Sequence, residues 1–387
     1  MTPIRSVLLT TACLTLLVPS LGRACINDTD TVEFELKNMN LLEEIKQTKR
    51  STDKRRLIGD LIIRAASGRF ERYPKKYYEM RIAALEREPK LDAYSADDLA
   101  VAYDRIGDSK SAMRVIRASL PQRKPGSEEM YRFHANYGTF IAHNWFKGGA
   151  KKSEVSQLDE AAAQIESGLK IRPDAHFGRE RVQLQLLRFV AAHTRGTEKL
   201  PLYNYLNQTL TDHEIAIGLC GLVMMGAAYE SPDVFAAITQ TGYYVSESGR
   251  RVARYRAAEL LKTRKPISDF FDEELNELLK DKQFLTRPNR AARLYSKVRQ
   301  DGEKVHQKRT AYMLARLNRG EHPDWTEEFW SDWEEPPYLV LEKEKQGPIV
   351  RQADYVPLGA AGLMLLATGF YVRERIVTRR KAKLPTK

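Results

Sequence analysis

Apolar residues in this chain recur at three- and four-residue spacing, and strand-type alternation is scarce. The stretches Asp97 to Leu120, Ser156 to Ile171, Arg179 to His193 and His213 to Tyr229 carry that spacing, which lines up one apolar stripe along a helix. Helix punctuation agrees: Ser95 and Asp97 precede one stretch, Ser231-Pro232-Asp233 opens another, and Pro89, Pro125 and Pro173 follow helix ends. Ser231 to Gln240, Arg251 to Lys262, Ile267 to Lys280 and Asn289 to Arg299 read as further helices, the second with Ala253, Ala257 and Leu260 or Leu261 inward. The expected fold class is therefore all-α. The most apolar internal stretch, His213 to Tyr229, is 17 residues long and interrupted by Gly218, Gly221 and Gly226. That is short of the roughly 20 residues that cross a bilayer, so it is expected to be a buried helix.

Two apolar runs near the ends break from this pattern. Arg5 precedes a run from Val7 to Leu21, and Gly22-Arg23-Ala24 supplies small residues ahead of Cys25, the pattern of a secretory signal over residues 1–24. Residues 353–372, ADYVPLGAAGLMLLATGFYV, match one membrane span. The tail 373–387 holds seven basic residues against Glu374, and basic flanks stay cytoplasmic. The expected topology exports Cys25 to about Asp354 and anchors it by its C-terminus.

This topology explains most of the charge. Of the formal +12, Arg5 and Arg23 carry two and the tail a net six, leaving +4 for everything else. That excess is targeting and orientation rather than a basic face, so nucleic acid is not an expected partner. After removal of Cys13 with the signal, only Cys25 and Cys220 remain. Cys25 is open to three fates: a free thiol, a disulfide with Cys220, or lipidation at the new N-terminus.

The exported part, about 330 residues, is too long for one ordinary core and is expected to be modular. Repeats are visible in it. Ala84-Leu85 with Pro89, Ser119-Leu120 with Pro125, and Gly168-Leu169 with Pro173 place their leucines 35 and then 49 residues apart. The first interval is close to the 34 residues of a tetratricopeptide repeat. Leu99, Ala100, Tyr103, Gly107, Ala112, Ile116 and Leu120 fall where that family puts its helix contacts, and Tyr137, Gly138, Ala161, Ile165, Gly168 and Pro173 match in the next repeat. The surplus of the second repeat lies in HNWFKGGAKKSEVSQ, expected between its two helices. The phrases CINDTDT, GRFERYPKKYYEMRI, DDLAVAYDRIGD, ANYGTFIAHNW and IRPDAHFGRE resemble those of exported tetratricopeptide-repeat proteins of planctomycete-type bacteria. The resemblance implies a solenoid of helical hairpins with a concave binding surface, and no assigned reaction. It also makes glycosylation of the sequons at Asn27 and Asn207 an unexpected event. The organisation expected is a helical lead-in over 25–67, repeats over 68–198, divergent helical repeats or a cap over 199–320, and an aromatic-acidic helix with a stalk over 321–354.

Within 321–354, Trp325, Phe329, Trp330 and Trp333 share one face if the segment is helical, ringed by Glu327, Glu328, Asp332, Glu334 and Glu335. The expected role is to close the end of the solenoid, with a membrane-interface or docking helix as the alternative.

Signals for catalysis fail in turn. There is no glycine-rich phosphate loop, no H-E-x-x-H, no nucleophile elbow and no C-x-x-C. His134, His143, His176, His193, His213, His306 and His322 are dispersed, and Asp174 and Glu180 read as capping and turn residues. No metal or cofactor is expected. The leading expectation is a non-enzymatic scaffold binding a protein or peptide in its concave face, lined by Tyr94, Asp98, Arg105, Arg132, Asn136 and His143. Asn136 stands out because an asparagine can hold a peptide backbone by donor and acceptor together. The alternative is an enzyme or cofactor-handling site in 134–152 or beyond Lys199.

Overall fold

The computed structural model describes residues 27–225, 228–242, 245–268, 271, 273–280 and 289–337. Among these, every regular element is helical. The first five α-helices are α1 (Thr29–Gln47), α2 (Ser51–Ser67), α3 (Lys75–Leu85), α4 (Ala93–Arg105) and α5 (Ser109–Ala118). The next five are α6 (Glu128–Lys147), α7 (Ser156–Ile171), α8 (Arg179–Arg195), α9 (Leu202–Leu206) and α10 (Asp212–Met225). The last four are α11 (Pro232–Thr239), α12 (Glu247–Leu261), α13 (Glu273–Lys280) and α14 (Arg290–Leu317). No helix among the described residues is long and apolar enough to cross a membrane. The expected signal, Cys25, the stalk beyond Pro337, the span 353–372 and the tail 373–387 lie outside the described residues.

Side chains fix where these helices begin. Asp92, Asp108, Ser127, Ser231, Ser246 and Asn289 each accept from a backbone N–H three residues on, satisfying one of the donors a helix start leaves orphaned. Ser231 and Pro232 do what the sequence led one to expect. Ser95 and Asp97 do not: α4 starts earlier, at Asp92, and Asp97 is fully buried.

Consecutive helices pack as hairpins. α4 lies on α5, α6 on α7, and α11 on α12, while α5 contacts α6 and α7 contacts α8. Leu99, Ala100, Ala112, Ile116, Gly138, Ala161, Ile165 and Gly168 are all buried in these contacts. At Gly138 an added Cβ would stand 2.7 Å from the Ala161 carbonyl, so the two helices meet there backbone to backbone. Leu120 differs from expectation. It is 39% exposed, because α5 has already ended and Pro121 continues the chain as a short 3-10 turn. The surplus residues of the second repeat also go elsewhere: His143 to Lys147 lengthen α6, and only Gly148 to Lys151 form the loop.

The succession of helices closes on itself. Met313 and Leu317 of α14 share a core with Tyr77, Tyr78 and Ile82 of α3 and Leu99 and Ala102 of α4. α2 packs against α10, α12 and α14. A Cβ at Gly302 would come within 2.2 Å of the Ser67 carbonyl, so α14 crosses the end of α2 at a separation only glycine permits. α10 is buried as expected, with Cys220 a free, fully buried thiol whose pKa burial raises.

The aromatic-acidic segment is not a helix. Glu327–Trp330 is a single 3-10 turn, and its rings face different surroundings. Phe329 enters the core of α3, α4 and α14, Trp330 stacks on Tyr312, and Trp325 stacks on His322 while remaining 48% exposed. Phe329, Trp330 and Trp333 gather around Tyr312 of α14 while Trp325 stands apart, so tertiary docking and not a helical face arranges the rings.

Candidate functional site

Three helices present one polar face inward. On α6, Arg132, Asn136, Thr139 and His143 follow at intervals of four, three and four and are all buried, as a single helical stripe requires. α4 contributes Asp97, Asp98, Asp104 and Arg105, and α8 contributes Arg179, Glu180 and Gln183. The chain's own residues Asn27 to Asp30 lie on this face.

The seating of that segment is specific. Asn136 grips the backbone of Asn27 in both directions: its Oδ1 accepts the Asn27 N–H at 2.6 Å, and its Nδ2 donates to the Asn27 carbonyl at 2.8 Å. Arg132 Nη2 adds a longer bond to the same carbonyl, 3.3 Å. The Thr29 N–H and hydroxyl both donate to Asp98, at 2.8 and 2.7 Å. Asp30 takes a two-pronged contact from Arg81 of α3, at 2.9 and 3.0 Å, and a bond from the Tyr77 hydroxyl. Beneath Asn27, the neutral His176 imidazole faces the Asn27 amide oxygen. Burial pushes the His176 pKa down to about 3 and so keeps the ring uncharged.

Supports stand behind these contacts. Asp97 accepts from Arg132 Nε at 2.8 Å and from Arg123 Nη2 at 2.9 Å, which orients Arg132 toward Asn27. Arg132 in turn lies over the Tyr94 ring, 4.8 Å from its centre. Glu180 accepts from Tyr131 and Arg179 at 2.9 and 2.8 Å. Burial raises its carboxyl, but the Arg179 charge and the hydrogen bonds from Arg179 and Tyr131 outweigh that and hold it below its ordinary value. Glu180 is therefore a buried carboxylate of the site, contrary to the capping role its sequence position suggested. Asp174 makes no side-chain cap.

Further along the face, Asp104 meets His143 Nδ1 at 2.6 Å. Ser109 Oγ donates to the Asp104 carboxylate at 2.5 Å, and Lys147 Nζ donates to Ser109 Oγ at 2.8 Å. In a serine–histidine pair the hydroxyl bonds the imidazole that takes its proton. Here the hydroxyl sits on the Asp104 carboxylate instead, so His143 is not placed to take a proton from Ser109. Arg105 reaches the Met225 carbonyl of α10 at 2.9 Å. His134, on another side of α6, pairs with Gln164 of α7. Among the described residues, no three His, Cys, Asp or Glu side chains are grouped to hold a metal ion.

The six residues singled out in the sequence thus divide. Tyr94, Asp98, Arg132 and Asn136 come together around Asn27 to Thr29, while Arg105 and His143 tie α4 to its neighbours deeper along the same face. The groove expected to be open is filled from within. Arg81, Tyr77, Asp97, Arg123, His176 and Glu180 were missed. The His176 and Glu180 spacing of four was the one signal available for any of them.

The seat is sensitive to protons. Burial, then the neighbouring Asp28, push the Asp30 carboxyl up to about 7 against the pull of Arg81. Burial and Asp28 likewise push Asp98 up to about 6. The groups facing this cluster are Tyr77 and Arg81 of α3, Arg105 of α4, and Asp324 from the C-terminal loop. Asp324 is held low by Arg81 and His322 despite burial, so it matters only in strong acid. Once released, Asp30 and Asp98 return toward ordinary carboxylate values near 3.9, so the seated form binds more protons and its hold weakens as pH rises from about 4 to about 7. His176 works against this up to its ordinary value near 6.5, which leaves a net difference of about one proton from pH 4 to 6. Amide exchange at residues 27–30, corrected for intrinsic rates, is expected to show opening that increases several-fold between pH 5 and pH 7; a flat or falling profile contradicts this assignment.

No protein-family model matches the chain, and neither a curated protein nor a solved structure does.

Proposed function

We propose that the chain is an exported helical-repeat scaffold of the tetratricopeptide type, anchored in a bacterial inner membrane by residues 353–372, that holds a protein or peptide partner on the inner face of α4, α6 and α8. One observation carries the binding reading: Asn136 engages a peptide backbone through donor and acceptor together, without reference to the side chain of the residue held. Burial lends such a contact value, since an amide deprived of water is costly to leave unpaired. Hairpin stacking of α4 to α8 supports the repeat reading, and the apolar runs at 7–21 and 353–372 support export and anchoring.

Crosslinking the full chain in its native membrane, followed by mass spectrometry, tests this reading. A reproducible partner whose crosslinks map to α4, α6 or α8 is the expected result. Crosslinks confined to other faces, or no partner at any crosslinker length, would count against the scaffold.

A further inference from the structure

We infer that Asn27 to Asp30 is a removable occupant of the groove, and that the seat it fills takes an acidic partner segment of the same chemistry: a held backbone amide followed within three residues by a carboxylate. This deepens the proposed binding role and rests on it.

The recognition set defines the ligand. Asn136 asks only for a backbone N–H and C=O. Asp98 asks for an N–H and a hydroxyl two residues on, and Arg81 asks for a carboxylate one residue further. A basic segment would bring a cation against Arg81, which is 1% exposed. An acidic segment that turns into a helix at its third residue meets every group, and the two-pronged Arg81 contact uses both oxygens of the carboxyl, where an amide offers only one.

Removal is the cheaper motion for this segment than for its neighbour. The segment is held by polar contacts and leads into α1, which packs against α2 and buries Leu42 and Ile45 well beyond it in sequence. α2 itself is held on several sides, by α10, α12 and α14. Two of these contacts are close backbone approaches, at Gly59 with Gly249 and at Ser67 with Gly302. Asp28, Asp30 and Asp98 also crowd around Arg81, with Asp28 at 3.9 Å and Asp30 at 2.9 Å, and like charges repel in a desolvated site. The segment can therefore leave while α2 and the helical frame stay in place.

The test uses the full chain in detergent. Residues 27–30 are replaced by Gly-Ser-Gly-Ser, and a labelled peptide with the sequence of residues 26–33, INDTDTVE, is titrated by fluorescence anisotropy. The peptide is expected to bind the vacated chain at least tenfold more tightly than the unaltered one. Binding should be lost with Asn136→Ala in the vacated chain, and weakened when the peptide's second aspartate becomes asparagine. A vacated chain that keeps its helical circular dichroism and melting transition yet binds no peptide overturns the inference. Exchange on the unaltered chain covers the case in which the vacated chain fails to fold. The Asn27 and Thr29 amides should exchange at least a hundredfold faster than those of α4 and α6, and equal protection shows a permanent part of the core. Partner crosslinks on α4, α6 and α8 that persist alongside either negative result leave the scaffold standing and remove only the exchangeable occupant.

Discussion

Replacing Arg81 by Met is expected to destabilise the folded chain by about 3–5 kcal/mol, the cost of leaving buried charge without its partner. Arg81 is the only guanidinium in contact, among the described residues, with both Asp30 and Asp324, which it holds at 2.9 and 2.6 Å. It also lies over the Tyr77 ring, 4.7 Å from its centre. One side chain thus ties the segment ahead of α1 to the loop after α14. Without it the acids must take up protons or come apart, and the stack of Tyr77, His322 and Trp325 loses its brace. A fall in melting temperature on the order of 10 °C follows for a domain of this size. Arg81→Lys should recover little, because one ammonium cannot fork toward two carboxylates. An unchanged melt for Arg81→Met would mean that these acids do not depend on the ion pair.

Asp97→Ala is the second large effect, again about 3–5 kcal/mol, because it strands two buried arginines. Asp97 and Arg123 are both 0% exposed at their side chains and Arg132 is 7% exposed. Arg123 also donates to the Ala93 carbonyl at 3.0 Å and the Glu129 carbonyl at 2.7 Å, so it joins the start of α4 to the start of α6. Adding Arg123→Met to Asp97→Ala should restore part of the loss, since it removes one of the two stranded charges and leaves only Arg132 without its acid. Denaturant melts of the two single variants and the double variant measure this directly. Strict additivity would show that Asp97 and Arg123 act independently and would refute the pairing.

The helical class was legible because it rests on local properties. Ser156 to Ile171 was readable to the residue, since its apolar spacing and the proline just after it are both features of one short stretch. Buried Ala100, Ala112 and Ala161 were legible for the same reason: a small residue at a repeating position permits close helix approach wherever the chain goes next. The polar stripe of α6 was partly legible. Arg132, Asn136 and His143 were expected as outward-facing lining of a groove; they share one face of α6, and that face is buried.

What they face was beyond the reach of local pattern. Asn27 stands 109 residues from Asn136, and Arg81 stands 243 residues from Asp324. No periodicity links such pairs, because their meeting depends on how many helices lie between them and how each hairpin is turned. The same limit hid Asp97, which reads as a helix-start acid until Arg123 and Arg132 are seen to close on it. It also misread the tryptophans near the C-terminal end of the described chain, whose helical spacing was real but whose backbone is a 3-10 turn, with Trp330 and Trp333 gathered on Tyr312 and Trp325 on His322.

The sequence by itself determined the helical class, the small-residue contacts and the acidic character of residues 27–30, because each is a property of a residue and its near neighbours. Only the tertiary structure decided that the groove is filled by that segment, that Arg81 joins it to the C-terminal loop, and that Glu180 and Asp97 are buried charges. Those facts are pairings across long stretches of chain, and burial, which gives them their energy, exists only once the helices have closed.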